Sequence, residues 1–318
     1  MSTPKSTAYL KIHTAVLLFG ITAILGKLIV FDQLAIVWHR LWISVLGLVL
    51  LPGVLRGIMR IPRKDLLRFV GIGVLVCIHW LTFYGCIKIA DSSSIALACL
   101  ATSTLFVSIL EPLVTGSKFQ RVEVVLGLLV IVGLLMVLNI GSAYYWAIVV
   151  GLISAFFAAL FSVLNKKYLS NHNTLSVSVL ELFSGFVFLS LVIPIYESGF
   201  NLQEYSLFRD DLYAVHKVFG MHIHSFVYLV ILGLFCTSLA YALSLSALRV
   251  LSAFTTNLAI NLEPVYGIVL AAILFKENQD LNIWFYVGTG IILLSVILHP
   301  FLVKFTERRV RAKLMREG

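Results

Sequence analysis

Residues 143–164 read AYYWAIVVGLISAFFAALFSVL, and the next three are Asn165, Lys166 and Lys167. The run holds no charged residue. A helix rises about 1.5 Å per residue, so crossing a hydrocarbon layer about 30 Å thick takes about 20 apolar residues. This stretch is long enough to cross. It ends on two lysines, the residue type that accumulates at the cytoplasmic ends of membrane helices.

The same pattern recurs along the chain. Apolar runs lie at 11–30, 34–55, 67–88, 94–115, 122–140, 174–195, 225–248, 253–275 and 281–303, making ten expected spans with 143–164. The breaks between them carry charged and turn-forming residues such as Asp32, Arg56 to Arg68, Asp91, Lys118 and Arg121. The 318 residues are 60% hydrophobic and 12% charged, against about 45–50% and about 25% in soluble domains. Ten spans leave too few residues for a sizeable soluble domain. A soluble enzyme, a disordered chain and a nucleic-acid module are therefore excluded, and the fold class expected is an all-α integral membrane protein. The run at 11–30 is too long for the core of a signal peptide and is read as the first span.

The net charge of +9 acquires a different meaning once sorted by position. With the N-terminus in the cytoplasm, eighteen Lys and Arg fall in cytoplasmic segments. Four fall outside: Lys88, Arg209, Lys217 and Lys276. That asymmetry predicts both termini cytoplasmic and an even number of spans. The basic tail 304–318 then faces anionic lipid rather than nucleic acid. The four cysteines, Cys77, Cys86, Cys99 and Cys236, have neither metal-type nor disulfide-type spacing and read as small buried residues.

Ten spans divide into two sets of five. Spans three to five pair with spans eight to ten at an offset of 161, which aligns Trp80 with Tyr241, Lys88 with Arg249, Ala98 with Ala259 and Gly127 with Gly288. The first two spans pair with the sixth and seventh at 139–141, aligning Lys27 with Lys166 and Arg40 with Glu181. An offset of 152 would align Glu111-Pro112 with Glu263-Pro264 but sends Gly127 to Gln279 in a loop, and it is rejected. The expected units are 1–140 and 141–303, with an outer loop insertion at 196–224. Because each half has an odd number of helices, the halves must lie inverted in the membrane. Inverted halves are the architecture of secondary transporters, whose solute site lies between them near the bilayer centre.

Four groups of residues carry a resemblance to a known family. They are Phe19-Gly20 followed by Lys27, Arg40 in WHRLW, the stretch NLEPVYGIVLAAILFKE at 261–277, and Gly288 with Gly290 in YVGTGIILLSVIL. In that order the chain resembles the EamA-type branch of the drug/metabolite transporter superfamily over essentially its whole length. The resemblance implies a secondary carrier, often an exporter, of small metabolites such as amino acids. Carriers of nucleotide sugars or phosphorylated metabolites belong to the same superfamily and are the alternative. It implies no enzyme activity and no cofactor. No GxxxxGK[ST] loop is present for ATP. A membrane-integral lipid-modifying enzyme is the rival class, and no HExxH, paired-aspartate or triad pattern supports it.

Ionisable and polar residues inside spans are costly and usually face a bundle interior or water. Glu263, beside the helix-perturbing Pro264, and His79 near the middle of the third span are the candidates for protons or for the polar end of a solute. Trp80 and Tyr84 share a helix face, and with Tyr241 they are candidates for the apolar part of a solute. Tyr241 belongs to a stripe with Thr237 and Ser244, and Asn257 and Asn261 form another. Thr102 and Ser103 take the positions of Glu263 and Pro264 in the other half. Arg40 is a candidate carboxylate or phosphate ligand, with Trp38 beside it. His216, His222 and His224 form no closed ligand set, and no metal is expected. The expected partners are a small-molecule solute and membrane lipid, with protons as the candidate coupling ion and no nucleic acid. The oligomeric state expected is monomer or homodimer, and the location a cell inner membrane.

Overall fold

The computed structural model describes residues 5–29, 31–137, 144–169, 172–196, 215–218, 221–275, 282–284, 286–295, 297–298 and 301–302. Helix α1 spans Lys5–Leu28, α2 Gln33–Val49, α3 Val54–Met59 and α4 Arg63–Ala90. Then come α5 Ser93–Ala101, α6 Ser103–Thr115 and α7 Arg121–Val137. The second half has α8 Tyr145–Tyr168 and α9 Thr174–Tyr196. A two-stranded antiparallel pair follows, β1 Val215–Val218 and β2 Met221–His224, with Val215 opposite His224. Helix α10 Ser225–Gly233 runs through a π-helical turn, Leu234–Leu239, into α11 Ala240–Leu248. Helices α12 Ala253–Ile260, α13 Glu263–Phe275 and α14 Tyr286–Ser295 complete the described elements.

Among the described residues, six helical segments are long and apolar enough to cross a membrane: 5–28, 63–90, 93–115, 145–168, 174–195 and 225–248. Of the remaining stretches, 34–55 and 281–303 overlap the shorter apolar helices Gln33–Val49 and Tyr286–Ser295, 122–140 overlaps α7, and 253–275 contains the broken pair α12 and α13. The second span ends at Val49 rather than 55. Pro52 and Gly53 are the reason: proline lacks the N–H that would continue the helix, and Gly53 takes φ +82, a left-handed turn conformation glycine adopts readily. The third span starts earlier than expected, at Arg63, directly after Pro62. The start of α2 is set by Asp32, whose carboxylate accepts from Ala35 N–H at 2.8 Å, a regular helix N-cap. The β pair is an addition to the all-α expectation. Residues 197–214 and the tail 304–318 lie outside the described residues. Among the described residues, no three His, Cys, Asp or Glu side chains gather as metal ligands.

The two halves share a design that the helix bounds make explicit. Helices α1 and α8 begin and end at an offset of 140. In α5–α6 and α12–α13 the starts and the break fall at 160, one less than the sequence register. Ser103, not Thr102, is therefore the positional mate of Glu263. A one-residue slip along apolar helices changes few identities, which is why the sequence alone does not exclude it. Glu111-Pro112 lies late in α6 and Glu263-Pro264 opens α13, so the 152 offset fails here too. The lysine pairing holds in three dimensions. Lys27 Nζ donates to the carbonyl of Asp91 at 3.0 Å, and Lys166 Nζ to the carbonyl of Leu251 at 2.5 Å. Each lysine thus fastens the end of its helix to the loop preceding a broken span.

The halves interlock rather than sit side by side. Helix α4 packs on α8 and α9, and α1 packs on α11 and α13. The four cysteines are free and buried in this packing, as small apolar residues would be.

The breaks in the spans have local causes. Thr102 and Thr104 hydroxyls donate back to the carbonyls of Cys99 and Ala101, which competes with the helical ladder. Across the interface, Asn261 Nδ2 donates to Thr104 Oγ1 at 3.1 Å, tying one break to the other. The start of α12 is held by a residue of the first half. Glu111 on α6 accepts from the N–H groups of Ala253 (3.0 Å) and Phe254 (2.7 Å), acting as an external cap. Replacing Glu111 by alanine should cost about 1–2 kcal/mol, as loss of a helix cap does. Hydrogen exchange at the Ala253 and Phe254 amides should rise first; unchanged protection there would show that the cap does not hold α12.

Candidate functional site

A cavity opens where the two halves meet. It encloses about 750 Å³ not filled by atoms, counting the part open to solvent. The first half supplies Phe19 and Thr22 from α1, Arg40 from α2, His79, Trp80 and Phe83 from α4, and Leu100 and Ser103 from the broken span. The second half supplies Ala158, Phe161 and Ser162 from α8, Tyr241 and Ser244 from α11, and Asn257 and Glu263 from its own broken span. Leu245, Leu248 and Ile260 complete the wall. Among the described residues, none of α7 or α14 lines it, so these two helices are peripheral to the cavity.

Arg40 is the most constrained charge in it. The side chain is buried, at 1% exposure. Nε donates to Thr237 Oγ1 at 2.6 Å and Nη1 to Tyr84 Oη at 3.0 Å. The guanidinium lies 3.8 Å from the centre of the Trp80 ring, a cation–π contact. Thr237 reaches it because the π-helical turn re-aims that part of the helix, and its own hydroxyl donates to Leu232 O at 2.6 Å. Glu263 enters at the first turn of α13. Among the described residues no hydrogen-bond or ion-pair partner reaches its carboxylate. The cavity therefore presents a braced guanidinium and an unbraced carboxylate.

His79 is anchored on one edge only. Its Nδ1 lies 2.9 Å from Ser154 Oγ and 3.0 Å from Ser154 O, and its ring packs on Phe161 with centroids 5.6 Å apart. Nε2 makes no hydrogen bond among the described residues. Trp80 and Tyr241 meet edge to face, 6.3 Å between centroids, across the junction of the halves. Asn257 Nδ2 donates to Ser162 Oγ at 2.7 Å and to Ala253 O at 3.0 Å.

Seven of the eleven residues expected from sequence line one cavity: Arg40, His79, Trp80, Ser103, Tyr241, Asn257 and Glu263. Four do not. Tyr84 stands behind the wall and steadies Arg40. Trp38 points elsewhere, with its indole N–H on Ser190 Oγ (2.9 Å) and its ring against Phe186. Asn261 is used by Thr104, and Thr102, in the break between α5 and α6, donates back to the carbonyl of Cys99. Helical periodicity places such residues on a face but does not say which neighbour the face meets.

Sequence reasoning expects part of the sixth span at the cavity but singles out none of the α8 residues that line it. Ser154, Ala158, Phe161 and Ser162 recur at intervals of four, three and one, a narrow face of small residues beside one aromatic. That stripe was legible, but its small residues carry no charge to draw attention.

The EamA-like transporter family model matches residues 6–139 and 145–299, two copies that together cover nearly the whole chain. No curated protein sequence matches. Among solved structures, one crystal structure, described only as that of a protein, is 15% identical with a TM-score of 0.68. The alignment covers 95% of this chain and 99% of that one. At that identity the likeness speaks for the fold alone.

Proposed function

The chain belongs to the EamA-like transporter family, and from that premise we propose that it exports small organic metabolites such as amino acids across a cell inner membrane. The mechanism we propose is secondary active transport by alternating access between inverted halves, with both termini in the cytoplasm. One observation carries the reading. A guanidinium (Arg40) and a carboxylate (Glu263) line the same aromatic-walled cavity, and each half of the chain supplies one of them. A zwitterion with an apolar side chain complements such a cavity: its carboxylate suits Arg40, its ammonium group Glu263, and its apolar part the rings of Trp80, Phe161 and Tyr241. The open edge of His79 provides a further polar contact or a proton carrier.

Coupling to the two-repeat design follows from symmetry. Two similar five-helix packings can exchange roles, so that one state opens the cavity inward and the other outward. The excess of Lys and Arg on one side of the expected spans supports the cytoplasmic assignment of the termini. A carrier of phosphorylated solutes is less well matched. Among the described lining residues Arg40 is the sole guanidinium or ammonium group, whereas a phosphate dianion calls for more than one.

The test is amino-acid flux in proteoliposomes with His79→Ala and Glu263→Gln. Each should reduce flux about tenfold or more, since a charge-assisted contact is worth about 1.5–3 kcal/mol. The pH profile should change as well. Wild-type rates with an unchanged profile in both variants would remove these two residues from the proposed mechanism.

A further inference from the structure

Glu181, on α9, lies outside the cavity lining and is fully buried, at 0% exposure. Its Oε2 accepts from Tyr241 Oη and, at 3.4 Å, from Asn165 Nδ2. Among the described residues its buried Oε1 has no partner, and neither has Asn165 Oδ1. Both orphan atoms are acceptors, on two side chains already in contact. An ionised carboxylate and an amide oxygen supply no donor between them, and buried acceptors are rarely left unpaired. One proton on the Glu181 carboxyl supplies the missing donor.

The charges around it point the same way. From α11 the titratable group facing Glu181 is Tyr241, and from α8 the polar group is Asn165. From α2, α3 and α4, also packed on α9, no charged or titratable side chain interacts with it among the described residues. Arg40 on α2 is engaged instead with Trp80, Tyr84 and Thr237. A buried carboxylate without a cation is completed most simply by a proton.

Tyr241 is the link to the cavity: its ring lines the wall while its hydroxyl donates to Glu181. We propose that Glu181 is a proton-binding site, loaded and unloaded from the cavity through the Tyr241 hydroxyl. In the loading step a hydronium in the cavity gives a proton to Tyr241 Oη as the tyrosine's own proton passes to Glu181 Oε2, and the carboxyl group then turns about its Cγ–Cδ bond, which carries the O–H to the side of the orphan acceptors. One O–H bond forms and one breaks at the tyrosine, the carboxylate becomes the acid, and the hydronium becomes water. Unloading is the reverse. Repeat symmetry puts a permanent charge in the corresponding place of the other half: Arg40 stands against Trp80 as Glu181 stands against Tyr241. The pair thus joins a fixed positive group to one that a proton can neutralise. The inference deepens the transporter reading and rests on it only for the use made of the proton.

The test uses protons as the sole probe. Purified full-length protein is titrated while infrared difference spectra record the carboxylic-acid carbonyl band. A band that grows on acidification, disappears in Glu181→Gln and persists in Glu263→Gln is expected. In Tyr241→Phe the band should reach the same amplitude but form roughly tenfold or more slowly after a pH jump, because a positioned proton relay has been removed. A band that survives in Glu181→Gln, one that does not change with pH in the wild type, or an equal rate in Tyr241→Phe would each overturn the proposal. If Glu181→Gln does not fold, the Tyr241→Phe rate decides. A protein that keeps the titrating band but moves no amino acid would overturn the reading of its function while supporting the proton site.

Discussion

Arg40→Ala is expected to lower solute affinity and flux at least roughly a hundredfold, about 2.8 kcal/mol at about 1.4 kcal/mol per factor of ten. The guanidinium makes two charge-assisted hydrogen bonds and a cation–π contact, and its remaining surface lines the cavity. Removing it deletes the cavity's positive group and leaves Tyr84 Oη and Thr237 Oγ1 without their donor. Arg40→Lys should fare little better. One ammonium cannot reach Thr237 and Tyr84 in the fixed fork that a planar guanidinium provides, nor stack as flat on Trp80. The control is Trp38→Phe, two positions away. Its indole N–H meets Ser190 outside the cavity, so its loss should cost about 1 kcal/mol of stability and leave flux near wild type. Equilibrium binding and proteoliposome flux on the three variants check this; Arg40→Ala protein with wild-type affinity would take Arg40 out of the solute site.

Gly73→Ala should be the most destabilising of the small substitutions on α4. A methyl group there would lie 2.1 Å from the carbonyl oxygen of Glu181 and 2.1 Å from Ser184 Oγ. The carbonyl is backbone and cannot rotate away, so α4 and α9 must move apart. Close approach through small residues is how membrane helices gain packing energy, and overpacking such a contact costs about 1–3 kcal/mol or more. Gly71 lies on the same helix two residues earlier, with nothing within 4 Å of the position its Cβ would take. Gly71→Ala should therefore be neutral, or stabilise by up to about 1 kcal/mol through helix propensity. Thermal unfolding of the two variants side by side separates contact from propensity. Equal melting temperatures would show that α4 and α9 are not packed this closely.

The contrast between Gly73 and Gly71 illustrates what a sequence carries. Both are glycines in one apolar helix, and nothing local distinguishes them. The apolar runs themselves, the basic residues that end them and the weak identities between halves are local properties of the chain. They were enough for the membrane class and for a two-repeat family. They also single out His79, Trp80, Arg40 and Glu263, which line the cavity, because an ionisable or aromatic residue inside a span stands out against Leu and Val. The one-residue difference in the broken spans lies where that contrast vanishes: Ala98 matches Ala259 at an offset of 161, but the helix starts match at 160.

Glu181 marks the other limit. Its repeat relation to Arg40 is visible as an offset of 141, yet the chain reads it only as a carboxylate near a helix start. Its meaning comes from Tyr241, 60 residues on, and from the absence of a cation among its described neighbours. Arg40 likewise takes its partners from positions 44 and 197 residues away. Whether a residue spans lipid depends on the few residues beside it, because hydrocarbon acts on each helix separately and the length of the run settles the matter. Whether a charge is braced, open to a cavity or sealed behind it depends on which helices come together, and that is set by the packing of the whole bundle.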